Sequence, residues 1–500
     1  MPSPEMKIQP SFNPDNKDKS LLPEPVPVRR YRYSRLRWRV LVHLIDGFGY
    51  LLMWLLRFFR PARNSIAIRR ILIVQLDHLG DAVLTTTMLR HLKSQYPKAD
   101  IDILASSANE AVFRASLFVN SVHVADRNWF ERRSGCWAMF TAAWRLGWQM
   151  RRHGYDLGID VRGDILSIFL MVLAGIPKRS GWAMGGGGFW LTDIANWEPG
   201  RHEVMSRMAI LKSLGIDIPP SDCIKTELVI SPTDREWVAR HLCRLWTPHQ
   251  WIQAYLRGSD VAFGRTQLVC PLVVLHPGAG TQAKRWPIVF WRRLILQLRE
   301  KGFFVAVIGS GEDIPVAEML TRGPGVIDLT GRLKLTETLA LLERSAFFIG
   351  VDSGPAHLAS VTGTKSVILF SGTNRASQWR PWSKAAIGLR KRVSCSPCHQ
   401  KLCPIASHSC MTGISPERVL KTALWWWNRG PVVSGNIVDD QRKNPVPPEN
   451  NPFRFGLSEN QFFNIALAWI TFVFVGYCFT IYFERGDRII AILEKIYSSI

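Results

Sequence analysis

Short, unbroken apolar runs, each ending in a turn of small residues, recur in two series along the chain. The first series opens with Ile71-Leu72-Ile73-Val74 and continues with Ile101-Asp102-Ile103-Leu104 and Leu157-Gly158-Ile159-Asp160-Val161. Between the first two runs, the turn Leu79-Gly80-Asp81 leads into a helical pattern through Leu84, Met88, Leu89 and Leu92. The second series runs from Leu272-Val273-Val274-Leu275 through Phe304–Ile308, Val326–Leu329 and Ala346–Ile349 to Val367–Phe370, with helical patterns at Phe290–Lys301 and Thr336–Arg344. Continuous apolar runs of this length read as parallel strands buried on both faces. Their alternation with helices predicts open parallel sheets with helices on both sides. The expected fold class is therefore α/β, with two Rossmann-like domains at residues 65–232 and 268–430. Ligands of such sheets bind beyond the carboxyl ends of the strands, where every one of these turns falls.

The two ends of the chain break this pattern. Residues 1–35 have the Pro-, Lys-, Asp- and Ser-rich composition of a disordered basic tail. Residues 36–64 read as an amphipathic, membrane-associated helix, because the apolar stretch from Val40 to Phe59 contains His43, Asp46 and Arg57 and has arginines at both ends. After a linker at 431–460, the segment Gln461–Phe483 has no charged residue. Its length suits the roughly 20 residues that cross about 30 Å of hydrocarbon. A C-terminal transmembrane helix is expected there, followed by a short tail at 484–500.

Charge adds to this picture. The net charge is +23, and residues 1–70 hold fourteen Lys/Arg against five Asp/Glu. In Arg35-Leu36-Arg37-Trp38-Arg39-Val40 the cations alternate with apolar residues, which favours an anionic membrane surface over a nucleic-acid groove. Met1–Ser20 is polar and is no secretory signal, so a cytoplasmic catalytic part is expected. Nine cysteines in 500 residues are no disulfide scaffold. Cys395, Cys398, Cys403 and Cys410 cluster in a way that suggests a small metal or iron–sulfur site. Their spacing matches no standard zinc pattern, structural or redox-sensitive thiols also fit it, and no metal ligand is assigned.

The candidate chemistry lies in the turns. In Gly350-Val351-Asp352-Ser353-Gly354-Pro355-Ala356-His357, Asp352 or Ser353 can cap a helix that begins near Pro355. The exposed amides around Ser353 and Gly354, aided by the helix dipole, suit a pyrophosphate, and Gly354 allows close backbone approach. His357 falls on the first turn. A capped helix with no ligand is the competing reading. The loop His276-Pro277-Gly278-Ala279-Gly280-Thr281 is followed by Lys284, a point charge of the kind that meets a phosphate. In Gly309-Ser310-Gly311-Glu312-Asp313 the carboxylates are placed to bond ribose hydroxyls. Asp81, at the mouth of the first sheet, faces these loops across a cleft, where a general base belongs; stabilising a helix start is the other role open to it. The chain has no P-loop, and Gly309-Ser310-Gly311 lacks the third glycine of the dinucleotide fingerprint. Ser353 stands one position late for a hydrolase elbow. An NAD-dependent oxidoreductase or a non-catalytic, membrane-anchored binding protein on the same fold are the alternatives.

Through these motifs the chain resembles glycosyltransferase family 9, the ADP-heptose–lipopolysaccharide heptosyltransferases, over about residues 70–425. The resemblance rests on Leu79-Gly80-Asp81, on His276–Gly280 with Lys284-Arg285-Trp286-Pro287, and on Asp352-Ser353-Gly354-Pro355-x-His357-Leu358. Phe370-Ser371-Gly372-Thr373 and Cys395–Met411 also belong to it. It implies a GT-B fold, with the first domain taking the acceptor and the second the nucleotide-sugar. It also implies a metal-independent, inverting transfer of heptose from ADP-heptose to a lipid-linked core sugar, without a cofactor and without a nucleic-acid partner. By position Asp81 matches the family's proposed base and Lys284 its phosphate-binding lysine. Gly280 and Thr281 fall in the same loop, Asp352, Ser353, Gly354, Pro355 and His357 match the donor-binding turn, and Glu312 falls near a donor-contacting carboxylate. The location this implies is the cytoplasmic face of the inner membrane. The basic arm and the C-terminal apolar segment are additions to the usual compact enzyme.

Overall fold

A computed structural model of the chain describes residues 36–57, 67–125, 136–245, 271–321, 325–428 and 437–440. The tails expected at 1–35 and 484–500, most of the linker and the transmembrane helix expected at 461–483 lie outside those residues.

Two parallel sheets organise the described chain. The first contains β1 (Arg70–Gln75), β2 (Asp100–Ser106), β3 (Ser121–Ala125), β4 (Leu157–Asp160), β5 (Lys178–Gly181) and β6 (Asp193–Ile194), in the order β3-β2-β1-β4-β5-β6. The second contains β7 (Leu272–His276), β8 (Phe304–Val307), β9 (Val326–Asp328), β10 (Phe347–Val351), β11 (Ser366–Phe370), β12 (Ala386–Lys391) and β13 (Ile437–Asp440), in the order β13-β12-β11-β10-β7-β8-β9. In each sheet the chain winds outward from its first strand, then returns to that strand's other side. The order therefore reverses between β1 and β4, registered Val74 to Asp160, and between β7 and β10, registered His276 to Gly350. Ligand crevices open at such reversals.

The apolar runs form strands because both of their faces are covered. Ile71, Leu72, Ile73 and Val74 are all fully buried. The pleat sends Ile71 and Ile73 to one core, with Leu84, Met88 and Leu92 of the Leu79–Gln95 helix, and Leu72 and Val74 to another, with Ile168 and Leu170. The first of these cores continues into the second sheet, where it takes in Val274, Ala306 and Phe348. One apolar layer thus joins the inner faces of both halves.

β5 gives no apolar signal. Its sequence is Lys178-Arg179-Ser180-Gly181, yet Arg179 is buried and its Nε donates to the Trp190 carbonyl at 2.7 Å. A strand whose charged residue is satisfied by backbone carbonyls has no hydrophobic period to read.

The amphipathic segment forms the helix Leu36–Arg57 and docks on the first domain. Val42, Ile45 and Gly49 face inward, with Gly49 against the ring of Phe189, and the Gly187 amide donates to Asp46 Oδ1 at 2.8 Å. Among the described residues no helix is long and apolar enough to cross a membrane. The helix rests on the loop that follows β5, and this loop is itself pressed against the loop that follows β4. A Cβ added at Gly185 would lie 2.1 Å from the Gly163 carbonyl oxygen. Gly185→Ala should therefore force two backbone segments apart and cost about 2–3 kcal/mol, read as a lower urea midpoint than the wild type gives.

Candidate active site between the two sheets

Asp81 lies in the first turn of the Leu79–Gln95 helix, directly after β1. The Arg207 guanidinium, 1% exposed, donates from Nη2 to Asp81 Oδ1 at 3.3 Å and from Nη1 to Glu203 Oε2 at 2.7 Å. Its Nε donates to Thr85 Oγ1, which in turn donates to the Asp81 carbonyl. Asp81 keeps only 15% of its side chain exposed. Burial, with Asp77 nearby, pushes its carboxyl up to about 7 against the opposing pull of Arg207. A carboxylate in that range can accept a proton near neutral pH.

Beneath Asp81 the loop after β4 is held as firmly. The Asp160 carboxylate, fully buried, accepts from the amides of Arg162, Gly163 and Asp164. Arg162 Nε lies 3.3 Å from Asp77 Oδ1. The ends of β1 and β4 are thereby tied together at the first reversal point.

In the second half, four strand ends converge. Lys284 Nζ donates to Asp352 Oδ2 at 2.7 Å, and Asn374 Nδ2 reaches the same oxygen at 3.1 Å. Ser353 Oγ lies 3.0 Å from the Val351 carbonyl and 3.0 Å from His276 Nδ1. His276 Nε2 stands 3.7 Å from Asp313 Oδ2. Burial alone would raise Asp313, but the bonds from His276 and from the Ser310 amide and hydroxyl hold its carboxyl at about 2. Asp313 also fills the space over Gly278 and Gly309, where added Cβ atoms would meet it at 2.1 and 2.8 Å.

Ser353 occupies the cap position of the Gly354–Val361 helix, but its hydroxyl makes no cap bond. The expectation that Asp352 or Ser353 caps this helix is corrected: Asp352 holds Lys284 and Asn374, and Ser353 holds Val351 and His276. The first-turn amides thus receive no cap bond from either side chain. Pro355 takes its expected early position. Thr281 Oγ1, beside the Lys284 turn, is buried without a hydrogen-bond partner. Gly280 is exposed and Glu312 points to solvent, whereas its neighbour Asp313 is buried.

The two halves meet at this point. A Cβ at Gly354 would lie 2.5 Å from Leu79 Cδ2, and one at Gly80 would lie 2.8 Å from His357 Cδ2. His357 is buried, its imidazole is pushed down to about 4 by burial, and its Nδ1 has no hydrogen-bond partner. Gln378 Nε2 crosses to Glu203 Oε1 at 2.8 Å, and His202 Nε2 meets the Arg380 carbonyl at 3.0 Å. Arg207, Glu203, Gln378 and Asn374 have no part in the expectations from sequence, and Asp313, expected with Glu312 to meet ribose hydroxyls, is instead turned inward to Ser310 and His276. A lone arginine on the apolar face of the Glu203–Ser213 helix is the one signal that points to any of them. Among the described residues no group of three or more His, Cys, Asp or Glu is arranged to hold a metal, and Cys410 is a buried thiol pushed up to about 11.

Two Rossmann-like parallel sheets in contact at their reversal points form the architecture of the GT-B glycosyltransferases. The chain belongs to glycosyltransferase family 9 (heptosyltransferase), whose pattern matches residues 143–408. It is 26% identical over 318 residues to lipopolysaccharide heptosyltransferase 3 of Escherichia coli, covering 62% of this chain and 85% of that protein. Its fold is similar to that of E. coli ADP-heptose lipopolysaccharide heptosyltransferase II, with a TM-score of 0.56 at 20% identity over 72% of this chain and 98% of the other. A family 9 glycosyltransferase of Veillonella parvula gives a TM-score of 0.58 at 20% identity over 73% and 99%. Membership removes the dehydrogenase and the non-catalytic binder as readings of the chain.

Asp313 offers a direct check on the second half of the site. A carboxyl held below its unfolded value stabilises the fold above pH 4 and loses that contribution as pH falls toward 2. Asp313→Asn should cost about 2 kcal/mol at pH 7, and the gap to wild type in denaturant melts should close between pH 4 and 2.

Proposed function

We propose that this glycosyltransferase moves heptose from ADP-heptose, with inversion, to a lipid-linked core sugar of lipopolysaccharide at the cytoplasmic face of the inner membrane. The observation that carries the mechanism is the position of Asp81. Its buried carboxyl, at about 7, sits beside Gly80, whose backbone abuts His357 on the first turn of the uncapped Gly354–Val361 helix. Proton acceptor and anion site are thereby brought to one cleft.

In this reading Asp81 takes the proton of an acceptor hydroxyl as that oxygen attacks the anomeric carbon. The bond to the donor diphosphate breaks from the opposite side, and negative charge grows on the departing phosphate. Lys284 leaves Asp352 to meet that charge, and the amides at Ser353–Pro355 contribute hydrogen bonds of the kind worth roughly 3 kcal/mol each in a transition state. A phosphate or ribose oxygen at the Lys284 turn would also satisfy Thr281 Oγ1. Gly280, fully open, leaves the approach to that turn clear, and Glu312, at the mouth, faces the nucleoside end. The donor named by the E. coli heptosyltransferase II structure and the acceptor class of the E. coli relative support the choice of substrates.

Asp81→Asn should abolish turnover yet leave donor affinity within about two-fold. Because a buried carboxyl raised above its unfolded value opposes folding at neutral pH, the same variant should melt no lower than wild type. A large loss of both stability and donor binding would assign Asp81 a structural role instead. In the wild type, turnover should rise with pH through a midpoint near 7 as Asp81 loses its proton. Arg207→Gln removes the cation that holds this value down, so the midpoint should move upward; an unmoved acid limb would break the link to Asp81. Lys284→Ala should weaken ADP-heptose binding about ten-fold or more by calorimetry, and unchanged affinity would remove Lys284 from the donor site.

A further inference from the structure

The helix Leu36–Arg57 is attached to the first domain by one side only. Val42, Ile45, Asp46 and Gly49 face inward, whereas Val40, Leu44, Phe48, Leu51 and Leu55 recur at three- and four-residue spacing on the other side and are 43–66% exposed. Five large apolar side chains on one exposed stripe exceed what scattered surface residues require and mark a surface built for contact. Polar residues do not relieve it.

The charge around the stripe is one-sided. From residue 25 to residue 76 the sequence contains a single carboxylate, Asp46. That carboxylate is 2% exposed and receives the Gly187 amide at 2.8 Å. The only negative charge of the segment is therefore spent on latching the helix, and what surrounds the stripe in sequence is cationic, from Arg29 to Arg39 and from Arg57 to Arg70. An apolar stripe between cationic flanks complements an apolar interior beneath anionic headgroups. A second copy of this chain would bring the same cations into opposition.

The latch also fixes where such a surface would lie. Gly187 belongs to the loop after β5, Gly185 of that loop touches the backbone of Gly163, and Arg162 next to it pairs with Asp77, four residues before Asp81. A surface seated on the helix is thus linked through rigid backbone contacts to the acceptor side of the cleft.

We propose that the Val40–Leu55 stripe lies on an anionic phospholipid surface, with Asp46 orienting the helix so that the Asp81 side of the cleft opens toward that surface. The purpose of this docking rests on the proposed lipid-borne acceptor, and the test reads lipid contact independently of sugar transfer. The photo-crosslinking residue p-benzoylphenylalanine would be placed in the full chain at position 44 or 51, with position 289, on the second domain, as a comparison. Illumination with phosphatidylcholine vesicles, with and without phosphatidylglycerol, should give phospholipid adducts at 44 and 51 but not at 289. The yield should rise by about five-fold or more with the anionic lipid. Adducts to a second copy, adducts to residues 461–483, equal yields on neutral vesicles, or no lipid adduct at either position would each overturn the proposal. Adducts at 44 and 51 in an Asp81→Asn chain that transfers no sugar would leave the docking surface standing by itself.

Discussion

Arg207 is a single cation among carboxylates that could not otherwise be buried together. Asp81 and Glu203 both bond to it, Asp77 lies close enough to raise Asp81, and Gln378 reaches Glu203 from the other half of the molecule. Removing Arg207 would leave the Asp81 and Glu203 carboxyls buried without their counter-charge, a change that typically costs about 3–5 kcal/mol. The arrangement serves two purposes at once. It fixes the rotamer of a carboxylate in the first turn of one helix, and it makes the fit between the halves depend on that same carboxylate's neighbour. A shift in how the halves meet would therefore be felt at Asp81, the proposed base.

The second half is organised differently, by one ion pair and a set of hydrogen bonds that run from strand end to strand end. Asp313 follows β8, His276 ends β7, and Ser353 follows β10; Lys284, Asp352 and Asn374 add the loops after β7, β10 and β11. These bonds tie the four loops to one another. The glycines at 278 and 309 are the price of admitting Asp313 between them. The contrast suits the proposed chemistry, since a phosphate site gains from rigid, preset donors, whereas a base must stay poised between two protonation states.

Much of this was legible in the chain because it is local. Ile71–Val74, Leu272–Leu275 and Ala346–Ile349 announce buried parallel strands by composition, and the turns after them hold Asp81, Lys284 and Ser353 within about ten residues. The groups that escaped are the distant ones. Arg207 lies 126 residues from Asp81 and Gln378 lies 175 from Glu203, so no window of sequence contains either pair. β5 escaped because its burial rests on Arg179 bonding to carbonyls rather than on apolar side chains. Asp46 was visible as a polar break in an apolar segment, but its inward latch to Gly187 depends on a contact across 141 residues. In the loop after β8, adjacent carboxylates compete for one role, and only the fold separates buried Asp313 from exposed Glu312.

The ion pair of Lys284 with Asp352 bears on what the cleft admits in a cell crowded with anions. Any ligand that takes the lysine must replace a 2.7 Å contact that is already made. Inorganic phosphate has few oxygens to set against that loss, whereas a diphosphate can meet the lysine and the helix amides together. In the proposed donor site the pair is a threshold that a diphosphate clears more readily than a single phosphate. In the proposed cycle Lys284 returns to Asp352 when the nucleotide departs, so the cation is neutralised between turnovers.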